Sequence, residues 1–127
     1  MNHALSLTNG EYITHLDDDD EYLPTRLNDL VDFARQTDSD VVWHPFWLEE
    51  ASGEWRVLDA NFFAKRSVTT GSIFYRSWFK RIPWDLEAHT LWEPGDWNRF
   101  RKFKYLNPKL ARYPEPLLRH HREHVPV

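Results

Sequence analysis

Five acidic residues in a row, Asp17-Asp18-Asp19-Asp20-Glu21, follow directly on Glu11-Tyr12-Ile13-Thr14-His15-Leu16, an alternating run rich in strand formers. Like charges a few ångströms apart repel and raise one another's pKa, so a fold must place this run where water or a cation relieves it. Ligands of open α/β sheets sit at the carboxyl ends of strands, which is where the run falls. Hard carboxylate oxygens suit Mg²⁺ or Mn²⁺. The plainer alternative is a solvated acidic loop that favours the positive amino end of a following helix. A calcium EF-hand loop is a poor match. Counted from Asp17, its sixth position is Tyr22 instead of Gly and its twelfth is Asn28 instead of Glu.

The elements around the acidic run predict an α/β chain. Residues 2–7 read as the end of a helix, stopped by Asn9-Gly10. A helix is expected from Pro24, a favoured first helical residue, with Leu23, Leu27, Leu30, Val31 and Ala34 as its buried stripe. Residues 40–48 and 54–58 read as two strands joined by a Gly53-containing turn. Residues 72–80 predict a short helix or strand–helix junction ended by Pro83, and Gly95-Asp96-Trp97 opens a helix to about Phe103. Residues 104–113 return as a strand or extended segment. One domain is expected over residues 1–127, with no internal repeat or low-complexity linker.

Charge is unevenly spread. Residues 1–60 hold 14 Asp and Glu against 3 Lys and Arg, whereas residues 99–127 hold 2 against 8. An acidic front and a basic tail carrying His120, His121 and His124 could close around a metal and a phosphate, or simply form two surface faces. With an acidic net charge of −4 and no basic stripe of interleaved aromatics, nucleic acid is a poor partner. The absence of Cys removes disulfide and thiolate chemistry. No run approaches the roughly 18 apolar residues of a membrane span. No basic-then-apolar leader follows Met1, so a cytoplasmic protein is expected. His120, His121 and His124 have the spacing of zinc ligands without an evident fourth.

Several spaced elements agree in order with one family. Asn2-x-Ala4, Asn9-Gly10-Glu11-Tyr12-Ile13, Leu16-Asp17-Asp18-Asp19-Asp20, Tyr22-Leu23-Pro24 and Arg26-Leu27 resemble the signature of family 2 glycosyltransferases. That resemblance implies a partial GT-A fold, a Rossmann-like nucleotide-diphospho-sugar transferase fold with a mixed sheet and flanking helices. It implies a metal-binding Asp-x-Asp motif at Asp17-Asp18-Asp19. Asp19 would be the main ligand of Mn²⁺ or Mg²⁺, Asp17 would share it, and Asp17 or Asp18 would lie nearer the nucleotide. Thr70-Gly71-Ser72-Ile73-Phe74-Tyr75-Arg76 resembles the segment after the acceptor-side hairpin, which puts Gly71 and Ser72 beside the sugar; a plain turn is the alternative.

At Glu93-Pro94-Gly95-Asp96-Trp97 the family's usual Glu-Asp pair is reduced to Gly95-Asp96. The resemblance makes Asp96 the catalytic base, Glu93 the second candidate and Trp97 a substrate contact. An Asp at a helix start is also a good N-cap. Leu117-Leu118-Arg119-His120-His121-Arg122 resembles the closing Arg-x-His stretch, implying Arg119 and His121 at the diphosphate; a mobile basic tail is the alternative. Of the tryptophans, Trp43, Trp47, Trp55, Trp92 and Trp97 are either sugar-stacking or core.

The reading is therefore an inverting transferase that moves a sugar from a nucleotide-diphosphate sugar to an acceptor hydroxyl. The competing reading is a non-catalytic remnant that binds metal or carbohydrate or serves as an interaction module. The resemblance covers only the metal- and acceptor-side portion of the family's domain. Homo-oligomerisation, or a partner chain completing the sheet, is expected to follow.

Overall fold

A computed structural model describes residues 10–85 and 95–121. The expected helix over residues 2–7 and candidate base Glu93 lie outside them, as do Trp92 and His124. Eight strands and two α-helices are present among the described residues: β1 (Tyr12–Thr14), β2 (Asp20–Tyr22), α1 (Arg26–Thr37), β3 (Val41–Trp43), β4 (Phe46–Glu49), β5 (Trp55–Leu58), β6 (Ile73–Arg76), α2 (Gly95–Phe103), β7 (Leu110–Arg112) and β8 (Leu118–His120). Short 3-10 turns occupy Thr70–Ser72, Ser77–Arg81 and Lys104–Leu106. None of the described helices is long and apolar enough to cross a membrane.

The strands form two mixed four-stranded sheets. The first runs β1-β6-β3-β7, with only β3 and β7 parallel. Its central strands read Val41-Val42-Trp43 and Ile73-Phe74-Tyr75, apolar on both faces, as a sheet covered on both sides requires. Val41, Trp43, Ile73 and Tyr75 pack with Trp97, Phe100 and Phe103 of α2. Val42 and Phe74, pointing the other way, pack with Leu30 and Ala34 of α1. The 97/100/103 spacing therefore marks the buried stripe of α2, as the sequence indicates.

The second sheet runs β2-β8-β4-β5. The expected single strand over residues 40–48 is in fact two, β3 and β4, in different sheets. Pro45 lacks an N–H and holds its predecessor extended, so the ladder breaks at His44-Pro45 and the chain passes from one sheet to the other. The β4–β5 hairpin is as expected, and Gly53 takes the left-handed φ of 86° at its turn.

Helix α1 starts at Arg26, two residues after Pro24, and ends on left-handed Asp38, whose N–H reaches back to Ala34 and Arg35 carbonyls. Its buried stripe is Arg26, Leu30 and Ala34; Leu27, expected inside, is 52% exposed. An arginine thus occupies a position that apolar periodicity assigns to a leucine.

Candidate functional site

Strand β8, from the basic tail, inserts between acidic β2 and aromatic β4, so residues about a hundred apart in sequence meet. Register sets Asp20 opposite His120 and Glu21 opposite Arg119. It also sets Trp47 beside Arg119 and Leu48 beside His120. Side chains alternate across a strand, and the second sheet consequently has two chemically distinct faces. Asp20, His120, Phe46, Leu48 and Leu58 share one; Glu21, Arg119, Trp47 and Trp55 share the other.

The first face closes over a cavity of about 250 Å³ with α2 and the segment before β6; Leu48, Arg66, Thr69, Asp96, Trp97 and His120 line it. Asp96 stands in the first turn of α2, where the helix end favours a carboxylate. One of its oxygens accepts the Trp97 N–H at 2.6 Å. Burial nevertheless pushes its pKa up, with backbone hydrogen bonds only partly opposing. Burial also raises Asp17, and repulsion from Asp20 and Asp19 adds to it. Asp17 feels Asp96 and His120 as well, so the acidic turn, the tail histidine and the start of α2 share one electrostatic neighbourhood. His120 Nδ1 donates to Asp20 Oδ1 at 2.9 Å, and this bond lifts the pKa of the ring.

The expectation of a five-residue acidic loop is corrected. Only residues 17–19 form the turn; Asp20 is in β2, its side chain fully buried against His120. That ring binds Oδ1, while Oδ2 is buried without a hydrogen-bond partner. Asp18 and Asp19 are exposed beside His121 in a shallow recess. Among the described residues no three His, Asp or Glu side chains form a ready cation cage.

The other expected site residues separate. Gly71 lies beneath β8: a Cβ there would stand 2.9 Å from Leu118 Cδ2 and 3.4 Å from Asp20 Oδ2, so its small size admits the strand that carries His120. Ser72 is buried and donates its hydroxyl to the Thr69 carbonyl at 3.1 Å. His121 bridges Glu21 at 2.8 Å and Glu49 at 3.2 Å, and those bonds raise its pKa, Glu21 first. Arg119 lies on the sheet face opposite the Asp96 cavity.

Two arginines have buried roles that the sequence did not indicate, although Arg26 stands in the family signature. Arg26 donates through Nη2 to Thr14 Oγ1 and the Gly71 carbonyl, both at 2.8 Å, and through Nε to His44 at 3.1 Å. Its guanidinium lies 3.9 Å from the Tyr22 ring centroid, and burial lowers its pKa to about 10. The Tyr22 hydroxyl in turn donates to the His15 carbonyl, just before the acidic turn. Arg99 donates to the Tyr75 hydroxyl at 3.0 Å and lies over Tyr75, Trp84 and Phe103. Between these cations His15 is held neutral, its pKa lowered to about 4 by burial, then by Arg99 and Arg26. Arg66, in the left-handed region at φ 71° beside the Asp96 cavity, also carried no sequence signal.

The model of Glycosyl transferase family 2 matches residues 1–110. Among solved structures, S. aureus TarS 1-349 in complex with UDP-GlcNAc is 18% identical, with a TM-score of 0.72 over 98% of this chain and 38% of that one. The UDP complex of the same protein is 20% identical, with a TM-score of 0.70 over 95% and 38%. At these identities the likeness is one of fold: a mixed α/β arrangement with flanking helices, shared with a GT-A glycosyltransferase. The chain spans 38% of the length of those structures. None of the curated proteins matches it.

Proposed function

From a chain that belongs to glycosyl transferase family 2, we propose the metal- and acceptor-side portion of an inverting site that transfers a sugar from a nucleotide-diphosphate sugar to an acceptor hydroxyl. The observation that carries this reading is that Asp96 and His120 line one cavity, with Asp17 close enough to feel the charge of both.

Asp96 is the general base of this reaction. It borders the cavity, and desolvation moves its carboxyl up toward the range in which a base works near neutral pH. The acceptor oxygen bonds to the anomeric carbon as the bond from that carbon to the diphosphate oxygen breaks. The acceptor proton passes to the Asp96 carboxylate. Attack from the face opposite the leaving group inverts the anomeric centre.

The acidic turn fits Mg²⁺ or Mn²⁺, hard ions commonly bound by one or two carboxylates plus substrate phosphates and not by a full protein cage. Asp19 and Asp17 would hold the ion, with Asp18 toward the nucleotide. Bound there, it neutralises charge developing on the leaving diphosphate. Asp20 and His120 hold the neighbouring strands in register and keep the turn in place.

The test is thermal melting with Mn²⁺ and UDP together. The wild type should melt higher by mass action, and the Asp17→Ala/Asp19→Ala double variant should not. No shift in the wild type, or an equal one in the variant, removes the metal assignment. A shift without turnover of any nucleotide-sugar favours a binding module.

A further inference from the structure

The outer face of the second sheet carries a groove that the transfer chemistry above leaves unused. Leu23, Trp47, Trp55 and Arg119 line about 300 Å³ of it. Trp47 and Trp55 project to the same side of the β4–β5 hairpin, and Arg119 stands beside Trp47 across the parallel β4–β8 pair. Trp55 is 39% exposed at the sheet edge, its ring meeting that of His121 in a T-shaped contact with centroids 5.0 Å apart.

The charge on Arg119 is free. Among the described residues its guanidinium has no ion pair or hydrogen bond, whereas Arg56 and Arg76 pair with carboxylates and Arg26 and Arg99 are buried and hydrogen-bonded within the fold. Glu21 faces Arg119 in register, yet its carboxylate goes to His121, which also takes Glu49. The cation that could have been neutralised next door is thereby left to the groove.

Flat indole faces match the C–H face of a sugar ring, and a planar guanidinium fork matches a carboxylate or phosphate. A polyanionic strand is disfavoured by Glu21, in register with Arg119, and by the separate acidic recess of Asp18, Asp19 and Glu21 beside His121, whose ring meets Trp55. We propose that this groove is a saccharide subsite, taking a ring of the acceptor glycan against Trp47 and Trp55 with an anionic substituent of that glycan on Arg119. The assignment of this glycan as the acceptor rests on the transferase reading; the binding itself is measured without transfer.

Calorimetric titration of the whole chain with four probes tests it: a uronate-bearing disaccharide, a phosphorylated disaccharide, the neutral parent and UMP. The wild type should bind an anionic disaccharide roughly tenfold tighter than the neutral one, about one charge-assisted hydrogen-bond pair. The tighter of the two anionic probes identifies the substituent. Arg119→Met should erase that preference, and Trp55→Ala should weaken every disaccharide. Equal binding of charged and neutral probes, indifference to both substitutions, or UMP binding as well as the sugars would overturn the subsite. Melting with Mn²⁺ and UDP on the same samples separates the two readings. Trp55→Ala should leave that shift intact, and a loss of it in Arg119→Met would return Arg119 to the donor site and overturn this assignment. A wild type that binds sugar but shows no shift with Mn²⁺ and UDP removes the metal assignment and spares the groove.

Discussion

Asp96 combines two roles that sequence reasoning sets against each other. It stands in the first turn of α2 and binds a backbone N–H there, while its carboxyl borders the cavity and is pushed up by burial. Asp96→Asn keeps the size and the capping oxygen but cannot accept the acceptor proton. It should lower transfer about 10²–10⁴-fold at a nearly unchanged melting temperature and donor affinity. A variant that melts lower yet turns over normally makes Asp96 a cap only. Gly71 offers a contrasting test, because its importance is steric. In Gly71→Ala the new methyl meets fully buried Leu118, and overpacking of this kind costs about 1–3 kcal/mol. Urea denaturation should show a lower midpoint, and a midpoint equal to wild type would mean β8 moves aside freely.

Periodic elements were readable from the sequence because one force shaped them. The α2 stripe, the Gly53 hairpin and the β1 strand follow apolar spacing and turn chemistry, and the fold keeps all three. The β3–β4 break was not, since an unbroken apolar run conceals a change of sheet at His44-Pro45. Nor was the burial of Arg26: no periodicity announces a fully buried cation bound to Thr14, Gly71 and His44. At the site, the acidic run announced itself, but its division at Asp20 depends on a strand a hundred residues away. Edges are the remaining feature of these elements. Among the described residues, β1 pairs on one side only, with β6, and large apolar side chains such as Leu16 and Phe62 are exposed. Such edges and surface invite pairing. The chain should therefore run as a dimer or larger in light scattering at tens of micromolar, and a sharp monomer would refute this.

Across the whole molecule, part of the uneven charge of the sequence is paired internally. The basic tail enters the acidic front as β8, and His120 and His121 bind Asp20, Glu21 and Glu49. Stability should consequently fall on both sides of a maximum near the ordinary histidine pKa of 6.5. His15, lowered to about 4, and more strongly His44 govern the acid side. Burial, then Arg26, lowers the His44 pKa to about 3, so the fold holds the ring neutral while the unfolded chain lets it charge. A depressed folded pKa means stability that is present above 6.5 and is lost as pH falls toward 3. His120 and His121 govern the alkaline side. Their carboxylate partners raise them, so their contribution is whole below 6.5 and is lost as pH rises through their folded values. Asp17 and Asp96, also raised, act in the opposite sense to His44 within the acid window. The pH profile therefore combines opposing groups, and a variant is needed to isolate one. His44→Gln keeps an acceptor within reach of Arg26 and removes the titrating ring. Its melting temperature should drop less steeply than that of wild type between pH 6.5 and 4, by a difference worth a few kcal/mol at most, while the two proteins run parallel from pH 7 to 9. Parallel curves in the acid range as well would show that His44 charges in the folded state without cost.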